Sequence, residues 1–236
     1  MFAVYSSFLQ RGYDMLLHDV AISGLHGVFA VDRSGLVGED GETHHGLFDV
    51  AYLTSIPGMN VLAPGCFQEL RDMLDWAVRD CRGPVAVRYP RGGEGVYRGR
   101  FDGEKTVVLR EGKDITLVTY GATTDAVLAA AESLERDGYT AEVIKLQSIA
   151  PIDWGPVLES VRETERILVT EECAAQGCVG QRIAAQLTLE GVPVKRMVLV
   201  NTGDGFVTHG SIEQLRKLCG LDTQNIYKMA REALGV

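Results

Sequence analysis

The fold is indicated most clearly by the stretch "GVFAVDRSGLVGEDGETHHG", residues 27–46. Its first part, Gly27–Val31, is an apolar run typical of a buried strand. The loop that follows, residues 32–46, carries two adjacent histidines, four acids and four glycines, a mixture that packing a core does not require. Ligands of parallel α/β sheets bind outside the carboxyl ends of the strands, so this loop is a candidate for a functional site.

Outward from this stretch, apolar strand-like runs alternate with longer amphipathic runs. This alternation predicts an α/β fold with parallel sheets and helices on both faces, organised as two three-layer α/β/α domains. The predicted strands are Phe2–Val4, Gly27–Val31, Asn60–Ala63, Pro84–Arg88, Ile115–Thr119, Ala141–Lys145, Arg166–Thr170 and Pro193–Val200. The predicted helices are Phe8–Ser23, Phe67–Arg79, Thr124–Arg136, Gly155–Thr164, Val179–Glu190, Ile212–Cys219 and Thr223–Leu234.

The segment Pro90–Lys113 interrupts the alternation, because it is rich in glycine, arginine and charge and has no apolar period. We therefore predict a first domain at residues 1–100, a linker at residues 101–113 and a second domain at residues 114–236. The run Phe2–Val4 has the composition of a buried strand but begins at residue 2. It predicts a strand whose neighbour in the sheet is missing, with an ordinary edge strand as the alternative.

Composition narrows the function classes. The chain has 236 residues, is 46% hydrophobic and has no apolar run near the roughly 20 residues of a membrane span. No secretory signal opens it, so a cytoplasmic location is expected. The net charge of −9 argues against nucleic-acid binding. An odd number of cysteines without CxxC spacing predicts reduced, mostly structural thiols; they are Cys66, Cys81, Cys173, Cys178 and Cys219.

Two arginines end strands of this acidic protein. Arg33 follows the strand Gly27–Val31, and Arg91 follows Pro84–Arg88, where Pro90 stops the strand. The planar guanidinium suits a phosphate, so a pair at one sheet edge predicts a phosphorylated substrate. The alternative for each arginine alone is a surface salt bridge.

The loop also contains groups that transfer or orient protons. The His44 ring can donate, accept and shuttle a proton, and Asp40, four residues earlier, can orient that ring or a substrate hydroxyl. A metal site is the rival interpretation, but adjacent histidines in extended chain point in opposite directions, which disfavours one shared ion. For His45 we predict a hydrogen-bonded role in supporting the loop.

Several blocks of sequence resemble one enzyme family. "YSSFLQRGYD", "DRSGLVGEDGETHHG", "IPGMNVLAP" and "GPVAVRYPRG" resemble consecutive blocks of the 1-deoxy-D-xylulose-5-phosphate synthases, which belong to the transketolase superfamily. "EECAAQGCVG" and "HGSIEQLRKLCGLD" resemble that family's last domain. The resemblance implies a partial transketolase pyrimidine-binding domain followed by a transketolase C-terminal domain. It also implies an enzyme dependent on thiamine diphosphate that condenses pyruvate with glyceraldehyde 3-phosphate, with loss of CO2, in non-mevalonate isoprenoid and thiamine precursor biosynthesis.

The resemblance also implies roles for individual residues. Phe8 matches the aromatic that stacks on the aminopyrimidine ring of the cofactor, and Arg11 matches the basic residue beside it. Asp40 and His44 match the loop at the reaction centre. The substrate pocket, in which the arginines bind the phosphate of the aldehyde, is matched by Tyr5, Arg33 and Arg91.

The chain also departs from the family pattern. Family members carry an amino-terminal domain that binds the diphosphate through Mg2+ with a GDG motif, and a glutamate just upstream of the first block that drives cofactor activation. The GDG of this chain, Gly203–Gly205, lies in the block that matches the last domain, so we interpret it as a turn. We therefore expect half of a site, inactive alone, in a homodimer that needs the missing domain or subunit. The alternatives are a non-catalytic assembly or binding module and a subunit of another split transketolase-type enzyme.

Overall fold

Ten strands form two separate five-stranded sheets, and nine α-helices pack around them in a computed structural model that describes all residues from 1 to 236. The strands are β1 (Phe2–Tyr5), β2 (Val28–Asp32), β3 (Asn60–Leu62), β4 (Val85–Arg88), β5 (Thr106–Arg110), β6 (Ile115–Thr119), β7 (Ala141–Leu146), β8 (Ser148–Ala150), β9 (Arg166–Thr170) and β10 (Arg196–Val200). The helices are α1 (Ser6–Leu9), α2 (Tyr13–Met15), α3 (Asp49–Thr54), α4 (Phe67–Arg79), α5 (Thr124–Arg136), α6 (Gly155–Thr164), α7 (Val179–Leu189), α8 (Ile212–Leu218) and α9 (Thr223–Leu234).

Both sheets are mainly parallel. The first has the strand order β1-β2-β4-β3-β8, in which only β8 runs antiparallel to its neighbour. The second has the order β10-β9-β6-β7-β5, in which only β5 is antiparallel. The predicted α/β class with parallel sheets is confirmed. Strand β8 comes from the second half of the chain, so the first sheet is completed by a segment that follows the second sheet's β7.

Helices cover both faces of each sheet. Leu117 packs in a cluster with apolar residues of α5 and α9, whereas its neighbour Val118 packs on the opposite face with residues of α6 and α7. In the first sheet, Val85 packs with α4 and Ala86 with α1 and α3. Because successive strand residues face opposite sides, each sheet is the middle layer of three. No helix combines the length and the apolar character that a membrane-spanning segment requires.

Most predicted elements are present. The predicted bounds of α4, α5, α6, α9, β6 and β9 coincide with the structure. The short elements α3, β5 and β8 were not predicted, because three to six residues carry too little periodicity to stand out from a loop. Strand β5 lies within residues 101–113, where the sequence predicted a linker, and pairs with β7. The domain boundaries themselves stay a prediction.

One expectation for the amino-terminal segment is wrong, and one is compatible with the structure. The predicted continuous helix Phe8–Ser23 begins instead at Ser6 and is divided into short helical turns. Gly12 has a non-helical ψ of 7°, and a wider turn follows at Leu16–Ala21. Strand β1 lies at the edge of the sheet, pairs only with β2 and leaves Phe2 57% exposed, which agrees both with a strand that lacks a neighbour and with the edge-strand alternative.

A buried ion pair joins the two halves of the chain. The Nζ of Lys145, on β7, lies 2.9 Å from Oε2 of Glu69, on α4, and both side chains are fully buried. The same carboxylate accepts hydrogen bonds from the Gly65 N–H (2.7 Å) and the Tyr97 hydroxyl (2.7 Å). Burial lowers the pKa of Lys145, and the nearby Glu69 opposes that shift. The pair therefore fixes α4 and the segment after β4 against the second sheet.

Replacing Glu69 with alanine should leave the Lys145 ammonium buried without a partner. We expect Glu69→Ala to lower the free energy of unfolding by about 3–5 kcal/mol, measured by guanidinium denaturation. The control is Asp75→Ala on the exposed side of the same helix, whose loss should change the free energy of unfolding by less than about 0.5 kcal/mol. Equal effects of the two substitutions would contradict the structural role of the pair.

Candidate active site

The predicted site residues follow three strands that are neighbours in the first sheet. Tyr5 ends β1 and lies opposite Asp32, the last residue of β2, in the parallel register. Val31 of β2 lies opposite Arg88, which ends β4. Because the carboxyl ends of parallel strands meet at one edge, Tyr5, Arg33 and Arg91 are brought to the same side of the sheet.

Five of the predicted residues form one contiguous cluster. The rings of Tyr5 and Phe8 stack with centroids 5.5 Å apart, and the His44 ring meets Phe8 edge-on at 5.5 Å. The guanidinium of Arg33 lies 3.8 Å from the centroid of Tyr5, and that of Arg11 lies 5.9 Å from Phe8. Residues separated by up to 39 positions in the chain therefore share one surface.

Phe8 is at the centre of this cluster and remains 40% exposed. This large aromatic ring, left open beside Arg11 and His44, offers a stacking face for a planar ring. No group of three histidine, cysteine or acidic side chains is arranged to hold a metal ion. The GDG motif, Gly203–Gly205, lies in a loop after β10, and Asp204 is exposed there.

Asp40 and Arg91 pair with each other. Nη1 of Arg91 lies 2.7 Å from Oδ2 of Asp40, and both side chains are partly exposed. Asp40 has no hydrogen bond to the His44 ring, whose Nδ1 lies 2.9 Å from the Thr43 hydroxyl instead. The expectation that Asp40 orients His44 is therefore not met in this conformation; the alternative target, a substrate hydroxyl, stays open.

Arg33 is also paired with a carboxylate. Its Nη1 donates to Oδ2 of Asp32 at 2.7 Å, and its backbone adopts a φ of 57°, a left-handed conformation uncommon outside glycine. The Asp32 side chain also accepts from the Arg33 N–H at 2.7 Å, which stabilises this turn. The turn directs the Arg33 guanidinium back over Tyr5 rather than along the strand.

The loop closes on itself at Gly46. The backbone of Gly35 and that of Gly46 exchange two hydrogen bonds of 2.8 Å. A Cβ at Gly46 would lie 2.2 Å from the Arg33 carbonyl oxygen and 2.6 Å from the Ser6 side chain. Only glycine permits this approach, so the residue brings β1, β2 and the loop together at the site.

His45 supports the loop from inside. Its buried ring accepts a hydrogen bond at Nδ1 from the Val37 N–H (3.1 Å), and Nε2 lies 3.1 Å from the carbonyl oxygen of Thr208. Because Nδ1 accepts, Nε2 carries the proton and donates to Thr208. The predicted supporting role of His45 is confirmed, and the two adjacent histidines have separate environments.

A buried ion pair below the cluster was not predicted. Arg88 donates from Nε and Nη2 to the two oxygens of Asp49 at 3.0 and 3.1 Å, and the Ser34 hydroxyl donates to the same carboxylate at 2.8 Å. Burial disfavours the charged guanidinium, but Asp49 outweighs it and the pKa of Arg88 is raised. An arginine in the apolar strand "VAVR" was the available signal, because a charge there needs a buried partner.

A cleft lies between the two domains, and the second domain forms the wall opposite Arg33 and Arg91. The cleft has a volume of about 880 Å³, and Arg33 and Arg91 line it from the first domain. Asp125, at the start of α5, and Arg216, on α8, line it from the second. The two arginines predicted to bind phosphate thus face one open cleft. The presence of Arg216 in the lining of the same cleft was not predicted.

Replacement of Gly46 by alanine tests the close approach of the loop. We expect Gly46→Ala to lower the free energy of unfolding by about 1–3 kcal/mol, because the added methyl group meets backbone and cannot be accommodated without a shift. Gly93→Ala is the matched control, since nothing lies within 4 Å of a Cβ at that position. Thermal or denaturant unfolding measures both, and a Gly46→Ala protein as stable as the control would contradict the geometry.

Comparison with known proteins agrees with this architecture. Residues 1–93 match the family model of the transketolase pyrimidine-binding domain, and residues 104–226 match that of the transketolase C-terminal domain. The 1-deoxy-D-xylulose-5-phosphate synthase of Heliobacterium modesticaldum is 43% identical over 98% of this chain, which covers 36% of that protein. The corresponding synthase of Clostridium acetobutylicum is 41% identical over 97% of this chain and 37% of that protein.

A solved structure shows the same fold. A split-gene transketolase, solved as an inactive β4 tetramer, superposes with a TM-score of 0.86 at 28% identity, covering 99% of this chain and 75% of that one. The chain itself spans little more than a third of the length of the synthases that it matches. With both domain models matched in order, the chain belongs to the transketolase family and corresponds to the C-terminal portion of the 1-deoxy-D-xylulose-5-phosphate synthases.

Proposed function

We propose that these residues supply one side of a thiamine-diphosphate-dependent active site that condenses pyruvate with glyceraldehyde 3-phosphate with loss of CO2. The product would enter non-mevalonate isoprenoid and thiamine precursor biosynthesis. The observation that carries the proposal is the cluster of Tyr5, Phe8, Arg11, Arg33 and His44 at one sheet edge, next to the Asp40–Arg91 pair. The similarity to named synthases supports this choice of reaction.

The cofactor side of the site is assigned to Phe8 and Arg11. When bound, thiamine diphosphate supplies a carbon nucleophile and an electron sink for decarboxylation. Phe8 would stack on its aminopyrimidine ring, and Arg11 would contribute positive charge beside that ring. These 236 residues hold no cluster of metal-binding side chains, so we assign the diphosphate and its Mg2+ to a domain or subunit outside them.

The substrate side is assigned to the arginines. Arg33 and Arg91 would bind the phosphate of the aldehyde, and Tyr5 would pack beside it under the guanidinium of Arg33. Asp40 is the more exposed of their partners, in a surface environment where an ion pair contributes little, so a doubly charged phosphate can replace its carboxylate at Arg91. Asp32 is partly exposed, so a phosphate can reach Arg33 beside it.

The proton-transferring groups are His44 and Asp40. The His44 ring is not buried, contacts Phe8 and has only the Thr43 hydroxyl as a hydrogen-bond partner. It can therefore turn one ring nitrogen toward a substrate oxygen beside the cofactor ring and donate a hydrogen bond or a proton there. Asp40 would act on the second oxygen once phosphate engages Arg91.

The partner we propose is the remainder of a synthase, as a domain or a separate subunit, in a homodimer. The chain spans about 36% of the length of the relatives, and no group of three histidine, cysteine or acidic side chains in it is arranged to hold a metal ion. Activity would therefore depend on residues supplied by the partner. A second candidate, a subunit of another split transketolase-type enzyme, is favoured by the 75% coverage of the split-gene transketolase chain.

Complementation tests the proposal. The 236-residue chain alone, with thiamine diphosphate and Mg2+, should show no condensation of pyruvate with glyceraldehyde 3-phosphate. Addition of the separately expressed amino-terminal part of the Heliobacterium modesticaldum synthase should produce activity, measured by CO2 release that depends on the aldehyde. Turnover by the chain alone would contradict the division of the site. A folded complex without this activity, but with ketol transfer from a sugar phosphate, would support the second candidate instead.

The arginine assignment has its own test in the active complex. We expect Arg33→Met and Arg91→Met each to raise KM for glyceraldehyde 3-phosphate by about tenfold or more, because each removes charge-assisted hydrogen bonds to phosphate. KM for pyruvate should change much less. Arg79→Met, on the exposed end of α4, is the matched control and should behave as the unmodified chain. Equal increases in KM for both substrates would contradict the assignment of the phosphate.

A further inference from the structure

Two adjacent buried glutamates follow β9 and serve different partners. Glu171 accepts hydrogen bonds from the N–H groups of Val179 (2.9 Å) and Gly180 (2.8 Å) at the start of α7, within its own domain. Glu172 extends in another direction, into the loop of the first domain that follows β2. Glu171 therefore stabilises its own domain, whereas Glu172 connects the second domain to the first.

Glu172 is bonded at both oxygens. Oε1 accepts from the Leu36 N–H at 2.8 Å, across 136 positions of sequence, and Oε2 lies 3.0 Å from Nη2 of Arg216 on α8. The Glu172 side chain is only 6% exposed. A Cβ at Gly35 would lie 3.0 Å from the Glu172 carboxyl carbon, so the loop backbone passes directly against this carboxylate.

Residues 208–210 of the second domain approach the same loop at other positions. The Thr208 carbonyl accepts from His45, and a Cβ on Gly41 would lie 3.1 Å from the His209 side chain. A Cβ on Gly38 would lie 3.4 Å from the Gly210 carbonyl oxygen. Asp40 and His44 lie between these contacts, in a segment whose glycines at 35, 38 and 41 all have positive φ. Such a backbone has high conformational freedom unless other groups restrain it.

We propose that Glu172 is a positioning residue: by binding the Leu36 N–H, and being oriented by Arg216, it sets the conformation of residues 35–45 and so places Asp40 and His44 for reaction. The effect of Glu172 on catalysis rests on the proposed function, whereas its contact with the loop does not. Strand β9 pairs with a strand on each side in the second sheet, so its carboxyl end is a rigid base for a flexible loop. Glu172 then contributes to catalysis without itself contacting substrate.

Amide hydrogen exchange of the 236-residue chain tests the contact without any activity. In Glu172→Met, exchange at Leu36–His45 should rise about tenfold or more, because a charge-assisted hydrogen bond is lost. In Glu172→Gln the rise should be smaller, since the amide oxygen still accepts from Leu36. The matched control Glu171→Gln should increase exchange at the start of α7 and leave the loop unchanged.

A second variant covers the case in which Glu172→Met does not fold. Arg216→Met alters a partly exposed side chain and frees one oxygen of Glu172, so loop exchange should rise by about threefold while the core of the second domain stays protected. Loop exchange that is unchanged in every folded variant of Glu172 and Arg216 would overturn the proposal.

Kinetics of the complemented enzyme test the consequence. Glu172→Met should lower kcat by about tenfold or more with KM for both substrates within about threefold, because binding groups remain and reacting groups are misplaced. Partial recovery in Glu172→Gln would parallel its loop exchange. Unchanged kcat despite a mobile loop would overturn the positioning role. If the unmodified complex has no activity, the proposed function fails, and the exchange experiment still decides whether Glu172 orders the loop.

Discussion

The candidate site depends on the buried ion pair between Arg88 and Asp49. It joins the end of β4 to α3 and, through Ser34, to the first residues of the loop after β2. Breaking such a pair by removing one partner costs several kcal/mol because the remaining charge is buried, so the three segments are held at fixed positions. The pair therefore also restrains Arg33, which is adjacent to Ser34, and the residues that follow Arg88. The Arg88 guanidinium carbon also lies 5.6 Å from the ring centroid of Tyr120, so the pair contacts both domains.

The two domains form one scaffold around a flexible loop. The Lys145–Glu69 pair fixes the first sheet's α4 against the second sheet, and Glu172 and Thr208 hold the loop from the second domain. Glycines let the loop approach its neighbours closely but do not choose a conformation. The choice comes from groups that are distant in sequence. Groups of the second domain thus restrain a loop that belongs to the first domain.

The sequence predicted much of the fold and the composition of the site. Helix α4, helix α5 and strand β6 were predicted at their observed bounds, since long apolar periods record burial directly. Strand β8 was missed because its three residues acquire strand character only by pairing with β3, which is remote in sequence. The first strand was predicted to be buried because composition does not distinguish a central strand from an edge strand.

By itself, the sequence determined the α/β class, the strands that end in arginine and the glycine-rich loop that carries Asp40 and His44. These features are local: a strand, a charged residue after it and a run of glycines are each encoded within a few positions. Only the tertiary structure decided the partners, which are Arg91 for Asp40, Arg88 for Asp49, and Leu36 for Glu172 across 136 residues. The physical reason is that a buried charge or an unpaired N–H can be satisfied by any suitable group that the fold brings near, and sequence periodicity carries no information about which group that is.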